Sequence, residues 1–453
     1  MRVSHSIALA TGAALFSGAM PAAATTIVAE GTYVANGKVA VVDGNKPLRK
    51  AGLVNRNVKF KLGRARVSGA APDGMKRSKV ADLVGGDQVV VHASSKSSRR
   101  VRPPLPASKV IVKKPPASSL PAGVPAKPRG VSTSLIWGWV PESESARDIR
   151  EAAALGADTI RVTFRWDSLQ VFGPGAIPQA QAEMIDRLMA VAKSQGIRIV
   201  AQVMGTPCWA SAGPKANGAC TGNASSYPPA HADDYGAFVH QIADRWGGQI
   251  SGYEVWNEPN LASFWSGTPA QYVDLVHAAK TAVTGSSYPA PPVVAGALSE
   301  SDTTYLQKLY DQHVDRWSDA ISIHPYAIRW DIGMVDPLLE ALGDVGSFAS
   351  GVPAVHTLMK ANGDSDSIWI TEFGYPTCSG QFLCVSQQKQ GDYLASALRR
   401  AAEWPYVNTF LMYDLRDWSG PGSDINQKFG ILNADWSPKA GTAPVKQALA
   451  DLK

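Results

Sequence analysis

Long apolar runs are scarce in this chain. After residue 24 no stretch approaches the ~20 apolar residues that a spanning helix needs, which excludes a helical integral membrane protein. Cysteine is scarce as well, with four residues in 453 and no close C-x-x-C spacing, which counts against a thiolate metal site. No glycine-rich dinucleotide or P-loop fingerprint follows any strand-like run, which lowers the nucleotide-binding classes. Charged residues make up only 18% and hydrophobic residues 45%, the balance of a globular chain rather than a disordered one. Neither a metal nor a cofactor is expected.

What charge there is divides unevenly. Residues 30–130 carry 21 Lys and Arg against 5 Asp and Glu, a balance of +16. Residues 131–453 carry 22 against 33, a balance of −11. The N-terminus reads as an export signal over residues 1–24: Arg2, a short apolar stretch from Ile7 to Phe16, and the small residues Ala22, Ala23 and Ala24. A periplasmic or secreted location follows. The cysteines fit it, falling as two local pairs, Cys208 with Cys220 and Cys378 with Cys384, which are expected as disulfides.

Residues 25–102 hold short strand-like runs, Lys38–Val42, Val58–Leu62 and Gln88–Ala93, separated by turn signals. They form either a small basic β domain or a partly disordered accessory region. Residues 103–130 hold eight prolines among lysines and serines and read as an extended linker. From 131 to 453, strands and helices alternate. The expected strands are 135–139, 159–164, 197–204, 250–256, 292–297, 320–324, 368–371 and 407–412. Helical patterns occupy 146–155, with Ser145 as cap and Gly156 as stop, then 179–194, 232–246, 269–283, 303–313 and 387–403. Eight such repeats predict an α/β fold, a (β/α)8 TIM barrel, rather than an open doubly wound sheet.

Two glutamates end two of these strands. One lies in Trp256-Asn257-Glu258-Pro259-Asn260 after strand four, the other in Ile370-Thr371-Glu372-Phe373-Gly374 after strand seven. Barrel enzymes draw reacting groups from the C-terminal strand ends, so residues 114 apart in sequence share one rim. Buried carboxylates flanked by aromatics are costly without partners or work. A pair of them is what glycoside hydrolysis requires: one to protonate the leaving oxygen, one to attack or to activate water.

These motifs resemble those of the clan A retaining glycoside hydrolases. The chain is most similar to glycoside hydrolase family 39, and more narrowly to endo-glycosidases associated with bacterial exopolysaccharide synthesis. Arg161-Val162-Thr163-Phe164-Arg165-Trp166 after strand two, Ser322-Ile323-His324-Pro325-Tyr326 on strand six and Phe429-Gly430-Ile431-Leu432 before the last helix carry the same resemblance, which covers residues 131–453. It implies that Glu258 is the acid/base and Glu372 the nucleophile. An acid at neutral pH needs a raised pKa, which desolvation beside Trp256 supplies, and a nucleophile must stay ionised, which Arg161 favours. Arg161 also suits a plain ion pair with Glu254. Asn257 is expected at the sugar 2-hydroxyl, and His324 or Tyr326 beside Glu372.

Sugar rings present C–H faces that pack on aromatic planes, so Trp137, Trp166, Trp209, Tyr413 and Trp418 are candidate substrate-binding residues, with Trp139, Trp265 and Trp330 on the same rim. The commonest clan pattern puts tryptophan directly at the end of strand eight. This chain has Tyr413 there and Trp418 five residues on. The basic region suits electrostatic association with an acidic glycan better than nucleic acid, or serves as a solvated spacer. The expectation is thus an exported monomeric enzyme with a polysaccharide substrate and no transmembrane segment. An exo-acting β-xylosidase-like enzyme and a non-catalytic glycan-binding barrel are the alternatives.

Overall fold

The computed structural model describes residues 3–6, 25–35, 38–44, 56–61, 66–69, 88–95, 105–112, 127–133, 140–217, 219–329, 333–334, 336–338, 348–378, 383–418 and 424–452. Most of the expected export segment and of the expected linker lies outside them, as do Trp137, Trp139 and Trp330. The chain divides into two compact units.

The first unit is a seven-stranded sheet. The three expected runs are strands at Lys38–Gly44, Arg56–Lys61 and Gln88–Ser95. Val3–Ser6, within the expected export segment, pairs antiparallel with Thr26–Ala29. The proline-rich stretch differs from expectation, because Leu105–Val112 is a strand of this sheet rather than linker. Its β-branched Val110-Ile111-Val112 pairs antiparallel with Val89–Val91, and its proline, Pro106, sits near the strand start, away from this ladder.

The second unit is a closed parallel barrel of eight strands, β1 (Arg129–Thr133), β2 (Thr159–Arg165), β3 (Arg198–Met204), β4 (Ile250–Val255), β5 (Val293–Ser299), β6 (Ala320–His324), β7 (Ser367–Ile370) and β8 (Val407–Met412). Around them lie α1 (Glu142–Leu155), α2 (Gln179–Ser194), α3 (Ala232–Trp246), α4 (Pro269–Thr284), α5 (Thr303–Tyr310), α6 (Phe348–Ala361), α7 (Gln387–Glu403) and α8 (Thr442–Asp451). β1 closes the ring, with Arg129 opposite Phe410 of β8 and Gly130 opposite Thr159 of β2.

The expected first strand over 135–139 lies outside the described residues, and the strand that closes the barrel is β1, further upstream. Arg129 and Gly130 read as linker, yet both suit this position. The Arg129 guanidinium donates to the carbonyls of Lys127 and Leu452. A Cβ on Gly130 would lie 1.6 Å from the Thr159 carbonyl oxygen, so only glycine allows the approach. α1 also starts earlier than expected, after Pro141. Glu142 and Glu144 in its first turn favour the helix dipole, and Ser145 is buried inside the helix instead of capping it.

Inward-facing residues form layers along the barrel axis. A buried apolar layer holds Val200, Val294, Ala320, Trp369 and Leu411. Gly252 leaves room for it, since a Cβ there would stand 2.6 Å from the Trp369 ring. Two residues further along β3 and β4 the inward positions turn polar, with Gln202 after Val200 and Glu254 after Gly252. That polar layer is the floor on which the rim residues stand.

Candidate active site

Glu258 and Glu372 meet at the C-terminal rim, at the ends of the β4 and β7 arms. Their side chains are 12% and 13% exposed, enough to touch a substrate but largely desolvated. The Glu258 loop is held by backbone and side-chain bonds. Glu258 N–H donates to the Ala297 carbonyl at 2.8 Å, and the Asn260 side chain bonds both the N–H and the carbonyl of Ser299 on β5. Trp256 and Glu258 both take positive φ, 70° and 40°, a conformation that L-residues adopt only where surroundings impose it.

Each carboxylate has distinct partners. Glu372 Oε1 accepts from Arg161 Nη1 at 2.5 Å, and its Oε2 accepts from the Tyr326 hydroxyl at 2.8 Å. His324 lies between the two, its Nδ1 3.0 Å from Glu258 Oε1 and 3.7 Å from Glu372 Oε2. Donor atoms of Glu258, His324 and Glu372 come within 4.8 Å of one another. That spacing would suit a divalent cation, but Arg161 already places a guanidinium charge on Glu372. The set therefore reads as a carboxylate pair with its own counter-ion. One carboxyl oxygen of Glu258 and one of Glu372 lie within 4.8 Å of each other, compatible with the ~5–5.5 Å carboxyl spacing used for direct attack on a sugar.

Electrostatics separate the roles further. Burial alone would raise the Glu372 carboxyl. The charges of His324 and Arg161, with the hydrogen bonds from Tyr326 and Arg161, outweigh burial and hold it below the usual carboxylate range. Burial, reinforced by the Glu372 charge, pushes the Tyr326 phenol well up, so it remains a donor. Asn257 Oδ1 accepts from Arg161 Nη2 at 3.2 Å and from Gln202 Nε2 at 2.8 Å, while Gln202 Oε1 accepts from Thr163. With its oxygen engaged by two donors, Asn257 is left to offer Nδ2 to a sugar hydroxyl.

The carboxylates open into a cleft of about 530 Å³. Asn257, Arg161, Tyr326 and Tyr413 line it, and Phe264, Phe429, Gln202 and Thr163 join them. Sequence reasoning gave these four no part in the site. Gln202 had a usable signal, because it shares strand parity and level with Arg161 and Glu254. Phe429 packs edge-on against Tyr413 and Tyr326, at 5.3 and 5.9 Å.

The tryptophans correct the aromatic expectation. Trp166 is fully buried among Trp209, Tyr235 and Phe238 and has no face for a sugar. Arg165 is the last inward residue of β2, so the next side chain turns toward the helices. Trp209 is half-buried with its N–H on the Gln170 carbonyl, outside the cleft lining. Trp256 is buried, edge-on to Trp265 and tilted against Tyr235, also outside the cleft lining. Trp418 donates to Asp414 Oδ2 at 3.2 Å and is not part of the cleft lining, whereas Tyr413 is. The Tyr413–Asp414 peptide is cis. Burial pushes the Asp414 carboxyl up to about 7, against the opposing hydrogen bonds from Leu415 N–H and Trp418. Both expected disulfides are formed, with Cα separations of 5.6 Å for Cys208–Cys220 and 5.3 Å for Cys378–Cys384. Among the described residues, no helix is long and apolar enough to cross a membrane.

A family model described as Cellulase (glycosyl hydrolase family 5) matches residues 120–408. No curated protein sequence matches the chain. Among solved structures, an exo-β-1,4-mannosidase from an Opitutaceae bacterium is similar with a TM-score of 0.55 at 19% identity over 72% of this chain and 59% of that one, so this chain spans under two thirds of its length. A family 39 glycoside hydrolase from Bacteroides cellulosilyticus gives 0.54 at 15% identity over 94% of this chain and 77% of that one. A monomeric β-xylosidase from Caulobacter crescentus gives 0.50 at 18% identity, over 71% and 67%.

Proposed function

The chain belongs to the cellulase family of glycosyl hydrolases, family 5, within the clan A barrels, and from that premise we propose that it cleaves a β-linked polysaccharide internally, with retention of configuration. Glu372 attacks the anomeric carbon while Glu258 gives its proton to the leaving oxygen, forming a glycosyl–enzyme ester. Glu258 then takes a proton from water, which displaces Glu372 and restores the β-configuration. Arg161 and Tyr326 keep the attacking carboxylate ionised, and Asn257 Nδ2 meets the 2-hydroxyl as charge develops on the ring.

The observation that carries this reading is the asymmetric carboxylate pair. Glu372 alone is held by a guanidinium and a phenol, and Glu258 stands within reach of it. The internal mode of cleavage rests on the cleft, whose lining draws on the ends of β2 and β3 at Arg165 and Met204 and on the loop after β8 at Ile425 and Asn426, together with both carboxylates. The disulfides and the basic N-terminal unit favour an exported protein acting on a bacterial exopolysaccharide. Product analysis tests both parts. Proton NMR of the first product should show the β-anomer, and polysaccharide should fall in mean length before monosaccharide accumulates. A first-formed α-anomer, or release of single sugars from chain ends, would contradict it.

A further inference from the structure

The cleft residues rest on a charge that no substrate reaches. Glu254, the fifth residue of β4, is fully buried beneath the rim. Its Oε2 accepts from Arg161 Nε at 2.6 Å, and its Oε1 has no hydrogen-bond partner among the described residues. Arg161 is almost wholly buried too. Its three nitrogens make their closest bonds to three different side chains, Nε to Glu254, Nη1 to Glu372 and Nη2 to Asn257, with Nη1 also 3.4 Å from Ser132 Oγ. Two of those acceptors address the substrate. The third, Glu254, fixes the plane of the guanidinium. A buried ion pair with an unpaired carboxylate oxygen is a poor device for stability, since desolvation offsets much of the attraction. It is a good device for orientation, because a guanidinium gripped at Nε can only point its remaining nitrogens one way.

We propose that Glu254 is a positioning residue for the hydrolysis, acting through Arg161 to set both the ionisation of Glu372 and the direction in which Asn257 donates. The inference rests on the retaining reading above. Through Nε, Glu254 holds Arg161 in place. By sharing its charge, Glu254 also tempers the field that Arg161 exerts on Glu372. The charged and titratable groups facing Glu372 are Arg161 from β2, Glu254 and Glu258 from β4 and its loop, His324 and Tyr326 from β6, and Tyr413 and Asp414 after β8. Only Glu254 among them lies outside the cleft and bonds Arg161.

Two substitutions separate the two effects, read in the full chain by kcat, KM and the pH profile of kcat/KM. Glu254→Gln keeps an acceptor for Nε and removes the negative charge. Arg161 then acts on Glu372 unshared, so the ionised nucleophile is favoured and the acidic limb moves to lower pH by about half a unit or more, with KM unchanged. Glu254→Ala removes the acceptor, Arg161 loses its orientation, kcat falls ~100-fold and the limb moves to higher pH. Recovery of kcat from the alanine to the glutamine variant supports positioning. If the glutamine limb stays in place or rises, or if both variants behave alike, the proposal fails. Should the alanine variant not fold, the glutamine limb decides alone. Activity of the native chain on glycans, with its loss in Glu372→Ala, is measured alongside. Absence of that activity would count against the hydrolase reading, whereas native activity with an unmoved limb would count against Glu254 only.

Discussion

Tyr326 donates to the ionised form of Glu372, and that bond has a definite sign. A hydrogen bond to a carboxylate favours the charged state, so its removal raises the carboxyl pKa. The nucleophile must be ionised, and activity is lost as pH falls through its pKa. Tyr326→Phe should therefore move the acidic limb of kcat/KM to higher pH by ~0.5–1 unit and lower kcat ~10–100-fold. A limb that stays in place would show that the phenol does not act on the carboxylate. At this scale the sequence was legible where chemistry and position coincide. Glu258 and Glu372 stand out because a strand that ends in a carboxylate between aromatics needs a reason. Arg161 had two readings, a cleft residue or a partner of Glu254, and the geometry joins them. Trp166 was illegible because one step of strand parity decides whether a rim aromatic faces sugar or helix. Nothing in its immediate neighbours marks where β2 stops alternating.

Whole elements were read mostly by period and punctuation. β6, β8, α2, α3 and α7 fall at their expected bounds. β1 did not, because Arg129 and Gly130 look like the end of a proline-rich stretch, and the partners that make them a strand lie in Thr159 and Phe410. α6 gave no sequence signal for a related reason. It holds Gly351 and Pro353, residues of low helix propensity, yet the helix forms and buries Phe348, Val352 and Val355. The loops after β3 and β7 are closed by their disulfides, at sequence separations of 12 and 6. Closing a loop of the first size is worth ~3 kcal/mol through the unfolded chain. The double variant Cys208→Ser, Cys220→Ser should lose about that much stability in urea unfolding while keeping most of its activity at 25 °C, since neither cysteine lines the cleft. Mass mapping of unreduced peptides should recover the two local pairs. Crossed pairs or four free thiols would contradict the assignment.

Across the whole molecule, opposite charge divides the chain, +16 over residues 30–130 against −11 over 131–453. The proposed catalytic groups, Glu258 and Glu372, both belong to the barrel unit. Removing residues 25–118 should leave hydrolysis of small uncharged substrates intact and weaken retention on an acidic polysaccharide, with the difference vanishing as salt rises. The deletion must stop short of Arg129, which opens β1 and closes the barrel. A folded truncation that loses activity on small substrates would show that the basic unit contributes to the site. The eightfold repeat was legible at this scale because each β/α unit repeats the same apolar pattern. The seven-stranded sheet was only half legible, as its short strands, with glycines and prolines between them, carry weak periodicity.

The division of labour between the glutamates is the central claim, and azide rescue tests it most directly. Glu258→Ala keeps the nucleophile but lacks the base, so an activated aryl glycoside should still form the ester, and azide, which needs no base, should release it as a β-glycosyl azide. Glu372→Ala should lose several orders of magnitude on every substrate, and azide should act from the opposite face to give an α-glycosyl azide. An α-azide from Glu258→Ala and a β-azide from Glu372→Ala would exchange the roles. Undiminished hydrolysis by both variants would contradict the assignment of the chemistry to these two glutamates.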